Sequence, residues 1–325
     1  MIQNITLQRI ITVASFILLA GKGIAYSLTH SNAVLSDALE SLVNVAAALF
    51  GLFSLQLSAR PRDSNHPYGH GKIEFLSAGI EGSLILFAGV IIVLKATYNF
   101  FRPQHLAALD YGILILASTG LVNYILGNLA VRRGKLTHSP ALLGSGRHLQ
   151  SDAFSTLGVL IAMSLLYFFP YHWLDNSVAI LFGIIIAFMG FRVIRTAVAG
   201  IMDEADMELL GHMIHFVNNN RRPAWVDLHN MRVIKYGPVL HVDCHLTLPW
   251  YYSVAQAHEE VGELRNVMEK SVKNPVEFFI HSDACVPPDQ CRICSLGDCA
   301  HRRQPMTYRQ EWTLESTLAD RKHGT

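Results

Sequence analysis

Charged side chains are scarce in this chain of 325 residues, at 16% Asp, Glu, Lys and Arg against 51% hydrophobic residues. That balance excludes an ordinary water-soluble protein. Acidic residues are rarest before position 201, where only Asp37, Glu40, Asp63, Glu74, Glu81, Asp110, Asp152 and Asp175 occur among the 25 in the chain. The rest crowd into the C-terminal part, which separates a membrane-embedded region from a water-soluble one. Net charge is +1, so no basic excess points to nucleic acid. Cysteine is missing until Cys244, and the other four lie between Cys285 and Cys299. No His-Glu-x-x-His or comparable hydrolase signature appears. No cleavage site follows the first apolar run, which is therefore expected to stay as a helix.

Long apolar runs fill the first two hundred residues. Six are near the ~20 residues that a bilayer needs. They are Ile5–Leu28, Asn32–Ser58, Ile73–Phe101, Tyr111–Val131, Ala141–Phe169 and Leu174–Ile201. Arg60, Arg62 and Lys72 follow the second run, and Arg132, Arg133 and Lys135 follow the fourth, whereas the opposite loops carry little beyond Arg102. Basic loops stay on the cytoplasmic side, so the expectation is a multi-pass protein with both termini cytoplasmic.

Two of these runs open with polar pairs at helical spacing. Glu40 and Asn44 lie in the second, and His148 and Asp152 in the fifth. Residues four apart share one face of a helix. Charged groups inside a span are costly and tend to mark an ion path. Two helices each offering such a pair can close four ligands around one divalent cation. The mixture of imidazole, carboxylate and amide suits zinc or its first-row neighbours better than magnesium or calcium. Asp37 and Glu81 are further carboxylates, for which helix packing is the favoured reading. Between the second and third runs, Asp63, His66 and His70 can converge on one ion, with Gly69 and Gly71 permitting a tight turn. The alternative is a hydrogen-bonded loop that caps the third helix.

Beyond Asp203 the pattern is that of a folded αββαβ domain over 203–284. Asp203 or Asp206 is placed to cap a helix reaching Val217. Strands are expected at Trp225–Tyr236 and Val239–Leu248, a helix at Ser253–Val272 and a strand at Val276–His281. This order resembles a small split-βαβ, ferredoxin-like sheet packed by two helices. In the second strand His241, Asp243, His245 and Thr247 share one face, and Val242, Cys244, Leu246 and Leu248 the other. The tail, 285–325, is polar and shows no clear core, so a flexible extension is expected. It carries Cys285, Cys291, Cys294 and Cys299, which can hold structural zinc or pass metal onward, although their spacing fits no standard knuckle.

The stretch Asn65-His66-Pro67-Tyr68-Gly69-His70-Gly71-Lys72-Ile73-Glu74, with Ser36-Asp37-Ala38 before it and His148-x-x-x-Asp152 after it, resembles the cation diffusion facilitator family of metal/proton antiporters. The resemblance covers about residues 8 to 284. It implies a homodimer of six-helix protomers in the plasma (inner) membrane, each with a cytoplasmic metallochaperone-like domain over 203–284 after a transmembrane domain over 1–202. By position it assigns the transport site to Glu40, Asn44, His148 and Asp152, and the loop site to Asp63, His66 and His70. It places regulatory metal in the cytoplasmic domain on His245, His258, His281 and Asp283, with Asp227 or nearby His229 as the less certain first ligand. It pairs Lys72 with Asp203 in a salt bridge at the junction of membrane and cytoplasm. Many members carry His or Asp where Glu40 stands and Asp where Asn44 stands. That departure leaves the metal open: Zn2+ leads, with Fe2+, Co2+, Ni2+, Cd2+ and Mn2+ as alternatives. The expected activity is efflux of divalent cations in exchange for protons, by a transporter rather than an enzyme. A membrane-embedded metalloenzyme using His148, Asp152 and Glu40, and a membrane-anchored metal sensor, are the rival readings.

Overall fold

The computed structural model describes residues 2–29, 32–101, 110–168, 172–237, 239–272 and 274–324. They form two compact units, Met1–Met202 and Asp203–Thr325. The first contains α1 (Ile2–Thr29), α2 (Asn32–Ser58), α3 (Ile73–Phe101), α4 (Asp110–Thr137), α5 (Pro140–Phe168) and α6 (His172–Ile201). All six expected helices are present. By length and apolar composition, four of them contain a membrane-crossing stretch among the described residues: Ile2–Gly21, Ser41–Ser58, Ile73–Asn99 and Asn176–Ile201. The first half of α5 is polar because it carries Ser145, Arg147, His148, Gln150, Ser151 and Asp152. That chemistry is tolerable in a bilayer only where it faces other helices, and all of these except the half-buried Arg147 and Asp152 are buried.

Glycine sets how closely α3 and α6 pack. Gly82 and Gly89 on α3 are seven residues apart, as are Gly183 and Gly190 on α6. A methyl group at Gly89 would stand 2.4 Å from the Ala187 backbone nitrogen, and one at Gly190 would stand 2.4 Å from that of Leu86. No side chain fits there, so the two backbones touch directly, as small residues allow between helices in lipid. On the outside, Phe87, Ile91, Leu94, Leu181 and Phe188 are exposed, an apolar surface suited to acyl chains.

Between the helices runs a polar seam. Gln8 of α1 donates from Nε2 to the Ala48 carbonyl (3.2 Å) and to Ser145 Oγ (3.1 Å). Ser145 donates in turn to Glu81 Oε1 at 2.7 Å. Two turns nearer the start of α3, Ser58 donates to Glu74 Oε1 at 2.7 Å and Ser139 donates to Glu74 Oε2. Buried carboxyl groups without such donors would each cost several kcal/mol.

The second unit holds α7 (Met207–Asn219), β1 (Asp227–Tyr236), β2 (Val239–Leu248), α8 (Val254–Ser271) and β3 (Val276–Ala284). Asp206 caps α7, accepting from the Leu209 backbone N–H, and Ser253 with Gln256 forms a capping box on α8. β2 is central, antiparallel to β1 and parallel to β3. The parallel pair needs a crossover, which α8 supplies. Val242, Cys244, Leu246 and Leu248 enter the core with Leu210, Met213, Leu264 and Met268, so the alternation expected along β2 is observed. A bulge between His229 and Arg232, with Asn230 at φ +51°, shifts the β1 register by one. It lets Leu228 and Met231, three apart, both enter the core.

Residues from 285 onward belong to this second unit. Trp312 is buried in the sheet core, under the Arg221 guanidinium, which lies 4.0 Å from the ring centre. Arg221 also donates to the carbonyls of Trp225 (3.0 Å), Val226 (2.7 Å) and Gln310 (2.8 Å). The segment adds a 3-10 turn (Asp289–Arg292) and a short α9 (Leu314–Leu318). Where a flexible extension was expected, single anchors hold the chain. Trp312 and Ile293 sit alone in polar sequence, without a period that would reveal them.

Candidate metal centres

Asn44 is the connecting residue of the intramembrane cluster. Its Nδ2 donates to Asp152 Oδ2 at 2.7 Å, and its Oδ1 lies 2.9 Å from His148 Nε2. An ionised carboxylate only accepts, which orients the amide nitrogen toward Asp152 and the oxygen toward His148. The ring nitrogen facing that oxygen must then carry a hydrogen. Helical spacing on α5 sets His148 and Asp152 one turn apart, and the Asn44 side chain of α2 reaches both. Three of the four residues expected at this site thus meet. The Glu40 side chain, and that of Asp37, lie outside the described residues. Asn44 and His148 line one narrow cavity with Ser15, Ser145 and Glu81. Glu81 is buried, and its Oε2 has no hydrogen-bond partner among the described residues.

In the loop before α3, Asp63 Oδ1 accepts from the backbone N–H of His66 (2.7 Å) and Asn65 (3.0 Å), and lies 3.0 Å from His66 Nδ1. His70 Nε2 is 3.3 Å from Asp63 Oδ2. Gly69, at φ +90°, makes the turn that brings His70 back. Desolvation pushes the Asp63 carboxyl up, but the hydrogen bonds from His66 and Asn65 outweigh it and hold it below the usual carboxylate range. Asp63, His66 and His70 bring one ligand atom each within 4.8 Å of one another.

One other group among the described residues reaches that closeness: His229, His245 and Asp283. The sheet explains it, since His229 pairs with His245 across β1 and β2, and Thr247 pairs with Asp283 across β2 and β3. His245 Nδ1 is 3.0 Å and His229 Nε2 3.4 Å from Asp283 Oδ2. His281 Nε2 stands 3.8 Å from Asp283 Oδ1, and Asp227 lies 3.3 Å behind His229 Nδ1. His258 is exposed on α8, outside the cluster of three. Two tail residues approach these carboxylates. Lys322 Nζ is 3.0 Å from Asp283 Oδ1, and His323 Nδ1 is 2.8 Å from Asp227 Oδ1. Desolvation raises the Asp283 carboxyl, but Lys322 and His245 outweigh it and draw it below the ordinary range.

The four tail cysteines line one pocket with His301 and Trp250. Lys72 lies just before α3, and Asp203 is the first residue of the second unit, at φ +57°.

Sequence reasoning named His229 only as a neighbour. Its signal was the register of the β1–β2 hairpin, which the bulge at Asn230 displaces. The tail contacts of Lys322 and His323 left no signal, because both lie far from the sheet in sequence.

Comparison with known proteins agrees with this division of the chain. Residues 9–202 match the cation efflux transmembrane domain, and residues 208–285 match the cytoplasmic domain of cation efflux proteins. An uncharacterized transporter of Synechocystis, sll1263, is 30% identical over 235 residues, 72% of this chain and 76% of that protein. The cation-efflux pump FieF of Pectobacterium atrosepticum is 27% identical over 286 residues, 86% of this chain and 93% of the pump. The manganese efflux system protein MneP of Bacillus subtilis is 26% identical over 283 residues, 83% and 92% of the two chains. The two matched domains together cover most of the chain, and the described helices and mixed sheet fall largely within them: the chain belongs to the cation diffusion facilitator family and is a membrane transporter of cations, not an enzyme.

Proposed function

We propose that this transporter exports divalent first-row metal ions, zinc foremost, from the cytoplasm in exchange for protons. Glu40, Asn44, His148 and Asp152 form the transport site in this reading. The observation that carries it is the Asn44 amide, joined at 2.7 Å to Asp152 and 2.9 Å from His148, so that α2 and α5 share one polar centre. Hydrogen bonds hold Asn44, His148 and Asp152 together. A cation can take His148 Nε2 only after its hydrogen has gone, since a ligating imidazole must present a lone pair. From imidazolium, that hydrogen is released as a proton; from the neutral ring, it moves to Nδ1. Metal and proton therefore compete for one centre, and reprotonation on the far side ejects the ion. Imidazole near neutral pH is a fitting exchanger.

The loop and sheet clusters are second and third metal sites in this reading. The loop site at Asp63, His66 and His70 gathers ions at the cytoplasmic entrance. The site at His229, His245 and Asp283, with His281 beside it, senses metal and biases a homodimer between conformations, with His258 contributed across the dimer. A Lys72–Asp203 pair would join the two units. Both termini face the cytoplasm, in the plasma (inner) membrane. A manganese preference has one observation in its favour, the two oxygen-bearing side chains Asn44 and Asp152 at this centre, together with the name of the Bacillus relative.

Proteoliposomes carrying a pH gradient test the reading. Zinc, manganese, iron, cobalt, nickel and cadmium are compared in wild type, His148→Ala and Asp152→Ala. Metal-dependent flux should vanish in both variants while dimers persist. Wild-type flux from either variant would overturn the site. A triple variant of His245, His258 and His281 should retain residual flux, whereas a pure metal sensor would show none even in wild type.

A further inference from the structure

We infer that Cys285, Cys291, Cys294 and Cys299 form a four-thiolate zinc site, apart from the cargo path, that fastens the C-terminal segment to the sheet domain. All four are free thiols and line a single pocket, while the fifth cysteine, Cys244, is buried in the sheet core. Backbone contacts hold the frame in place. The Cys285 N–H donates to the Leu248 carbonyl at 2.8 Å, continuing the sheet. Cys291 lies in the 3-10 turn, its N–H donating to the Pro288 carbonyl at 3.1 Å. The Arg302 guanidinium donates to the carbonyls of Cys291 (3.1 Å), Cys294 (3.1 Å) and Leu296 (2.6 Å). That fork fixes the loop between the last three cysteines, whose thiols line the pocket.

The stretch 285–299 has little apolar packing of its own, the Trp312 anchor lying farther along the chain. Its apolar centre is one small cluster, with Ile293 against Val226, and it has no sheet or long helix of its own. Segments short of a core are commonly held by a cross-link or a metal. Cys291-x2-Cys294 supplies the short chelate of structural zinc sites, and Cys285 and Cys299 complete four ligands. No three of these sulfurs lie within 4.8 Å of one another, so side-chain rotation must draw them in. Zinc–sulfur bonds of about 2.3 Å set tetrahedral sulfurs about 3.8 Å apart. The step is Zn2+ plus four thiols giving a tetrathiolate complex of charge −2 and four protons released to buffer. Arg302, already seated at the loop, offsets part of that charge.

The test uses the full-length protein, reduced and stripped of metal in detergent, then titrated with Co2+. One equivalent should produce sulfur-to-cobalt charge-transfer bands with the intense visible bands of tetrahedral sulfur coordination. Zinc should erase them. The bands should persist in His148→Ala and disappear in the double variant Cys291→Ser/Cys294→Ser. Zinc should also shield four of the five thiols from alkylation in wild type, which decides the matter even where the double variant fails to fold. Absent charge transfer, or equal alkylation with and without zinc, would overturn the site. So would iron–sulfur absorbance, or disulfides among these four cysteines, in the protein as purified.

Discussion

The Asn44 carboxamide of α2 donates to the Asp152 carboxylate of α5 at 2.7 Å, where a charged pair would otherwise face each other. A neutral amide removes one negative charge from the cavity and so weakens its hold on a dication. Asn44→Asp restores that charge. One added charge at 4 Å is worth about 4 kcal/mol at an effective dielectric of 20, more than the ~1.4 kcal/mol that makes a tenfold difference. Calorimetric titration in detergent should therefore show zinc affinity raised at least about tenfold, with slower release in proteoliposomes. Unchanged affinity would mean that Asn44 lies outside the ion's reach.

Lys322 sits 3.0 Å from Asp283 Oδ1, where a cation shared with His245 and His229 would bind. Its ammonium competes with metal. Half-exposed ion pairs contribute about 0.2–1 kcal/mol, so Lys322→Met should raise zinc affinity of the sheet site by up to about fivefold. Calorimetry in a His148→Ala background isolates that site from the transport centre.

Acid should loosen the start of α7. Desolvation raises the Asp206 carboxyl, but the Leu209 N–H and the Lys235 ammonium outweigh it and set the carboxyl below its ordinary value. A lowered folded pKa gives stability that is complete above the unfolded value of about 3.9 and is lost as pH falls through the folded one. Asp206→Asn keeps the cap but removes the charge, so thermal unfolding of the variant should lose part of the wild type's dependence on pH below about 4. Asp206→Ala should cost about 1 kcal/mol at neutral pH.

Packing between α3 and α6 depends on Gly89 lying against the Ala187 backbone. Gly89→Val forces the helices apart and should destabilise the membrane unit by about 1–3 kcal/mol, read as a lower unfolding temperature in detergent. Leu94→Ala, on the exposed apolar face of α3, is the comparison and should change little in detergent.

How much of this was legible follows from where each residue stands in a repeating pattern. The bounds of α2 and α3 are those expected, because apolar runs that end at Ser58 and begin at Ile73 enclose a polar Gly- and Pro-containing loop. The i, i+4 pair on α5 and the alternation along β2 were equally plain, since one helical turn or one strand period brings such residues to a common face. What the sequence hid were relations between distant parts. Nothing near Asn44 tells that its amide spans from Asp152 to His148. The bulge at Asn230 moves His229 into register with His245 without an apolar signal. Lys322 and His323 reach Asp283 and Asp227 only because Trp312, isolated in a polar stretch, anchors the chain on the sheet.

The most direct measurement is of proton release as metal enters the purified wild-type protein in lightly buffered liposomes, with zinc uptake and internal pH followed together. Each zinc ion accumulated should be matched by a proportional outward flow of protons. Both signals should disappear together in Asp152→Ala. Zinc accumulation with no accompanying proton movement would contradict exchange at the His148–Asn44–Asp152 centre.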